Sequence, residues 1–172
     1  MIDRPQPDEY SEDYTSYVKL VPEGDIVTIL KEQIKDTVSL LSSFSEAESE
    51  YRYAPDKWSI KEMIGHMIDN ERIMGYRLLC IARGETASLP SYQDEEYVRE
   101  ADFDSQTLKD LLDHLTSIRQ STVYLVNSLS EEALKRRGAA NHSEITARAI
   151  VTILAGHEIH HCNILKERYL NV

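Results

Sequence analysis

His157 and His161 stand four residues apart in the run Gly156-His157-Glu158-Ile159-His160-His161. On a helix that spacing turns both imidazoles to one face, about one turn apart. Two neutral imidazoles so placed can share one divalent cation. Both also fall in the apolar stripe of Ile150, Ile153, Leu154, Ile164 and Leu165, where a ring nitrogen left unpaired is costly. A single core histidine usually settles on a carbonyl or hydroxyl. A pair at this spacing inside such a stripe points instead to a metal.

The pair also fits the letters H-E-x-x-H, the zinc-protease helix pattern. Its extended form needs Gly at 164 and His at 167, where this chain has Ile164 and Glu167. Only eleven residues follow His161, so a third ligand must come from another helix. A zincin-type protease is therefore disfavoured. His66, on the bundle-facing border of the second helix, is the best third ligand. His114 falls off the leucine stripe of its helix, His142 lies in a loop that could approach a pocket mouth, and His160 flanks the pair.

Three histidines with an open position make a catalytic rather than a structural metal site. Such a site activates water for hydrolysis, or binds a thiol substrate as thiolate. Glu158 is a candidate general base, although its projection about 100 degrees from His157 allows a surface carboxylate equally. Asn70, Ile73 and Arg77 follow His66 on successive turns and, with His160 and residues from the 84–104 loop, are the candidate pocket lining. Asn70 and Arg77 suit a polar or anionic substrate group, or else close helix–helix hydrogen bonds, the latter being the simpler reading for Arg77. A non-catalytic metal-binding bundle is the alternative to an enzyme.

Four amphipathic helices must position these residues. The first spans about 25–43, with Ile26, Leu30, Ile34, Val38 and Leu41 on one stripe. The second opens at Ser59-Ile60-Lys61-Glu62, a capping box preceded by Trp58, and runs to about Arg83 before Gly84. Its core arc is Ile60, Met63, Ile64, Met67, Met74, Leu78 and Ile81. The third, capped by Asp104 or Ser105, carries an unbroken stripe from Leu108 through Leu111, Leu112, Leu115, Ile118, Thr122 and Leu125 to Leu129. The fourth spans about 143–169. Residues 84–104 are too long for a turn between antiparallel neighbours and are expected to cross over the bundle, with a short helix near Glu95 to Glu100. Residues 1–23, with Tyr10, Tyr14 and Tyr17, read as an arm lying across the domain. No strand-like alternation of useful length is visible, so the fold class is all-α, one four-helix-bundle domain over 1–172.

At 172 residues, 41% hydrophobic and 28% charged, the composition is that of a globular chain with a substantial core. A formal net charge of −11 disfavours nucleic acid as a partner, because neutralising phosphates needs clustered Lys and Arg. No apolar run approaches eighteen residues and no signal peptide opens the sequence, so a cytoplasmic protein without a membrane span is expected. Cys80 and Cys162 belong to no close-spaced motif and are expected as buried thiols.

Three stretches in order, Lys57-Trp58-Ser59-Ile60-Lys61-Glu62, Gly65-His66-Met67-Ile68-Asp69 and Ala155-Gly156-His157-Glu158-Ile159-His160-His161, resemble the DinB-like superfamily. That superfamily includes YfiT-like metal-dependent hydrolases, assigned as such by inference, and bacillithiol and mycothiol S-transferases. The resemblance implies an up-down-down-up bundle, often a homodimer, with zinc or nickel held by His66, His157 and His161. It also implies a small-molecule substrate, a low-molecular-weight thiol being one option, without fixing the reaction.

Overall fold

The computed structural model describes residues 2–170. After two short 3-10 turns the chain forms α1 (Thr15–Leu20), α2 (Ile26–Leu41), α3 (Ile60–Ala82) and α4 (Asp94–Ala101). It continues through α5 (Leu108–Asn127), α6 (Glu131–Lys135), the strands β1 (Arg137–Ala140) and β2 (Ser143–Thr146), and α7 (Ala147–Arg168).

Helices α2, α3, α5 and α7 form the bundle. Both α2 and α3 pack against α5 and α7, which leaves α2 and α3 diagonally opposed. Side-chain links set the directions. Arg119 of α5 reaches the Leu30 carbonyl and Glu46 accepts from the Leu108 amide, so α2 and α5 run antiparallel. Ser59 meets Asp104 and Glu71 meets Arg119, so α3 and α5 run parallel. Gln33 donates to the Ala155 carbonyl and Thr37 to Glu158, so α2 and α7 run parallel. The order is up-down-down-up. The parallel neighbours α3 and α5 need a long connection, which residues 83–107 supply, and the stretch from α6 through the hairpin carries the chain across the bundle from α5 to α7.

The apolar core is split in two. One cluster contains Ile26, Leu30, Leu78, Ile81, Ile150 and Leu154; the other contains Leu41, Ile60, Ile64, Leu111, Leu115 and Leu165. Between them, at mid-height of every bundle helix, lies a buried polar layer. Thr37, Glu71, Arg119 and Glu158 form one part of it, and His66, His157 and His161 the other.

Three local expectations need correction. The loop expected at residues 138–142 is most of strand β1 and the Asn141-His142 turn of a two-stranded hairpin, Arg137 opposite Thr146 and Ala140 opposite Ser143. Leu89 in the crossover also donates to the Ala139 carbonyl and accepts from the Asn141 amide, so this small sheet is stitched by residues far away in sequence. As a result α7 starts at Ala147, capped by the Thr146 hydroxyl, rather than near Ser143. Helix α5 is capped by Thr107, not by Asp104 or Ser105. Asp104 is used elsewhere, accepting from Ser59 at the start of α3 and from Arg52. The capping box on α3 is complete in both directions.

The arm is fastened over α7. Glu9 pairs with Arg148, and Arg4 donates to the carbonyls of Val18 and Val21. Helix α1 lies directly on α7 because Gly156 has no side chain: a Cβ there would strike the Tyr17 carbonyl. That obstacle is backbone and cannot rotate away. Gly156→Ala is therefore expected to lift α1 and cost about 1–3 kcal/mol, the usual range for overpacking. Urea denaturation checks this, and an unchanged midpoint would show that α1 is not held at this point.

Candidate metal centre

His66 comes from the second turn of α3 and the other two histidines from the middle of α7, antiparallel to it across the bundle. The three side chains are 4%, 8% and 7% exposed for His66, His157 and His161. His66 Nε2 lies 3.0 Å from His157 Nε2, and His161 Nε2 lies 3.1 Å from the same atom. Trp58 covers His66, ring centroids 4.7 Å apart, and Tyr17 of the arm meets His157 edge-on at 5.6 Å.

Three ring nitrogens converging this closely cannot all present lone pairs to one another without a cation or proton between them. Burial, more than any other influence, pushes the His66 pKa down to about 4 and those of His157 and His161 well below the ordinary histidine value. All three rings are thus neutral at neutral pH, the form that ligates metals. Two imidazole nitrogens each about 2.0–2.1 Å from one divalent ion stand about 3–3.4 Å apart, which is the spacing seen. The donor set fits a divalent metal. His161 Nδ1 is buried without a partner among the described residues, so the ring is held by packing and by its Nε2 side.

The described residues add no fourth His, Cys, Asp or Glu to this group. The rings open instead on a cavity of about 360 Å³. Its walls come from all parts of the fold: Tyr14 and Tyr17 from the arm, Asn70, Met74 and Arg77 from α3, Tyr92 and Asp94 from the crossover, and Asn141 from the hairpin turn.

A family model for the DinB superfamily matches residues 29–165. The chain belongs to the DinB superfamily. Within that family it is 25% identical over 127 residues, 73% of each chain, to a protein of Oceanobacillus iheyensis provisionally named a metal-dependent hydrolase. Among solved structures it is similar to YfiT of Bacillus subtilis, described as a probable metal-dependent hydrolase with an unusual four-helix bundle topology. That likeness has a TM-score of 0.71 at 15% identity and covers 96% of this chain and 90% of YfiT. A DinB-like protein of Bacillus subtilis matches with a TM-score of 0.61 at 22% identity, over 84% of this chain and 88% of that one. The mycothiol-dependent maleylpyruvate isomerase matches with a TM-score of 0.66 at 14% identity, over 84% of this chain and 61% of the isomerase.

The sequence-derived candidates fall into two groups. Asn70, Arg77 and His160 do line the cavity, whereas Ile73 does not, and Met74 takes the place on the wall that Ile73 was expected to fill. Glu158 is absent from the lining as well. It is 2% exposed and turned to the opposite side of α7, where it accepts from the Thr37 hydroxyl and lies 2.5 Å from Arg119 Nη2. His142 reaches only Ser91, at 3.3 Å near the rim, and His114 pairs with Arg72 on the surface. Tyr92 and Asp94 come from the 84–104 loop expected on this wall, whereas Tyr14, Tyr17 and Asn141 come from segments whose path depends on distant contacts and were not expected there.

Cys162 is free and buried, bridging by its sulfur to Thr37 at 3.3 Å, and burial pushes its pKa up to about 11. It has none of the acidity of a nucleophilic thiol. Cys80, also free, is half-buried rather than buried.

Proposed function

We propose that this protein is a metal-dependent enzyme acting on a small molecule, by hydrolysis or by transfer of a low-molecular-weight thiol. One observation carries the reading: three neutral imidazole nitrogens converge at one wall of a cavity sized for a small molecule, with no fourth protein ligand among the described residues closing the site. His66, His157 and His161 would hold the ion through Nε2, zinc or nickel being the metals that suit this donor set. A divalent ion here lowers the pKa of a water or thiol placed beside it. Asp94, the one carboxylate among the lining residues, would take the released proton. Glu158 is committed to Arg119 and serves the site by holding α7 in register. The names of the hydrolase relatives support hydrolysis, and the mycothiol-dependent isomerase supports thiol chemistry. A zincin-type protease is disfavoured, since Glu158 faces away from the cavity. Exposed Tyr76 and Leu79 on α3 and Tyr124 on α5 offer an apolar face for the homodimer that the family resemblance implies.

The test compares zinc-loaded and metal-free protein for alkylation of bacillithiol, glutathione and coenzyme A by monochlorobimane, alongside hydrolysis of a panel of activated esters and amides. Metal-dependent acceleration of one thiol identifies a transferase, and of an ester or amide a hydrolase. A protein that binds zinc stoichiometrically and accelerates neither is the non-catalytic binder.

A further inference from the structure

The described residues include three buried cationic side chains, and two of them are ion-paired. Arg119 sits between Glu71 and Glu158, and Lys61 lies 2.6 Å from Glu46. Arg77 is the exception. It is 4% exposed, and no carboxylate of the described residues lies within ion-pair distance of it. Its Nη2 donates to the Pro90 carbonyl at 2.6 Å, and its Nη1 has only the thioether of Met74 at 3.4 Å, a weak acceptor. Its guanidinium carbon stands 6.0 Å from the centre of the Tyr92 ring. A planar group with five N–H donors is thus buried at the wall of the histidine cavity with its charge uncompensated. Burying a cation without a counter-ion is costly, and the cavity beside it leaves room for water or for an anion, of which the anion compensates the charge. Asp94, on the same cavity, is exposed and does not fill that role.

Arg77 also sits at a useful distance. It follows His66 by eleven residues on α3, about 16 Å along the helix axis, and arginine side chains lean back toward the helix N-terminus, here toward the histidines. Asn70 and Met74 line the wall between them.

We propose that Arg77 is the anion-binding end of this cavity, so that the substrate carries an oxyanion, a carboxylate or a phosphate group, held by the guanidinium while its reactive group lies at the three histidines. This names the substrate class of the metal-dependent enzyme proposed above and rests on that reading. A guanidinium fork matches either oxyanion through two parallel hydrogen bonds.

Calorimetric titration of the zinc-loaded protein with adipic and suberic monohydroxamates, and with their methyl esters, tests it. The hydroxamate end engages a metal in every compound, and only the acids carry the anion. At least one acid is expected to bind tenfold or more tightly than its ester. Arg77→Met should bring acid and ester to equal affinity while leaving ester affinity and zinc stoichiometry unchanged. Esters that bind as well as the acids in the wild type, or an acid advantage that survives Arg77→Met, overturn the assignment. Should Arg77→Met fail to fold, Arg77→Lys replaces it: loss of the fork should cut the acid advantage at least threefold, and an unchanged advantage counts against the proposal. A protein that takes up zinc but no hydroxamate, or no zinc at all, defeats the metal-enzyme reading instead. Titration of metal-free protein with glutarate and with inorganic phosphate then decides Arg77 separately. Binding of either that is lost in Arg77→Met upholds the oxyanion site and says which anion it prefers, and binding of neither removes it.

Discussion

Arg119→Met is expected to destabilise the protein by about 3–5 kcal/mol, the usual result of breaking a buried ionic cluster by removing one partner. Arg119 is 1% exposed and grips Glu71 with two parallel hydrogen bonds, Nε to Oε1 and Nη2 to Oε2, both 2.7 Å. The same Nη2 lies 2.5 Å from Glu158 Oε2, and Nη1 donates to the Leu30 carbonyl at 3.3 Å. One guanidinium therefore ties together α2, α3, α5 and α7. Methionine keeps most of the volume but leaves two buried carboxylates with no cation. Glu158, which burial already holds above the usual carboxylate range with Arg119 opposing that rise, then shifts further up. A carboxyl group with a raised folded pKa binds more protons folded than unfolded, and its contribution to stability is lost as pH rises. The variant should accordingly weaken between about pH 5 and 8 and recover toward acid pH. Urea denaturation across that range measures both effects. A loss under 1 kcal/mol, or a pH dependence like that of the wild type, would show that the cluster is not what joins the helices.

The same cluster shows what the sequence conceals and what it offers. In α5 the stripe from Leu108 to Leu129 looked unbroken, yet Arg119 sits inside it, four residues after Leu115 and three before Thr122. Glu71 interrupts the α3 arc between Met67 and Met74, and Glu158 interrupts the α7 stripe after Leu154. Each alone could be a flanking surface charge; that two acids and one base each break a core stripe on a different helix was the available signal. Glu158 also completes the letters H-E-x-x-H, which masks its place in this cluster. Local patterning was otherwise a good guide, because capping boxes and three-to-four spacing act within a turn or two. It located the four long helices, the short helix in the crossover and the trio of histidines. It failed where structure depends on remote backbone: Gly138-Ala139-Ala140 has no strand alternation, and pairs because β2 and Leu89 are brought to it. The cavity walls supplied by the arm and the hairpin fall in the same class.

Loss of metal from His66→Ala is the other large expected effect. With two of three nitrogens left, both on α7, affinity should fall by more than the roughly 10–100-fold that loss of an outer hydrogen-bond partner costs. Elemental analysis of purified protein should then drop from about one metal per chain to near zero, while His160→Ala, which leaves all three Nε2 atoms in place, retains it. Ligand linkage gives a second readout. Zinc at about a thousand times its dissociation constant stabilises the wild type by about 4 kcal/mol, and should leave the melting temperature of His66→Ala almost unmoved. The pH profile gives a third. Because burial holds the His66 pKa at about 4, and those of its neighbours well below the usual value, protons compete for the ring nitrogens only in strongly acid solution. Zinc affinity should therefore change little between pH 7.5 and 5.5. The metal-free protein behaves differently: histidines with a depressed folded pKa bind fewer protons folded than unfolded. Their cost to stability grows as pH falls from about 6.5 toward 4, by up to about 1.4 kcal/mol per pH unit for each ring. The zinc increment, set by the folded-state affinity, should thus be nearly equal at pH 7.5 and 5.5, while the metal-free baseline falls over the same range. Retention of one metal per chain by His66→Ala would move the third ligand elsewhere, and a zinc stabilisation that falls steeply between pH 7.5 and 5.5 would show that the rings are not buried neutral.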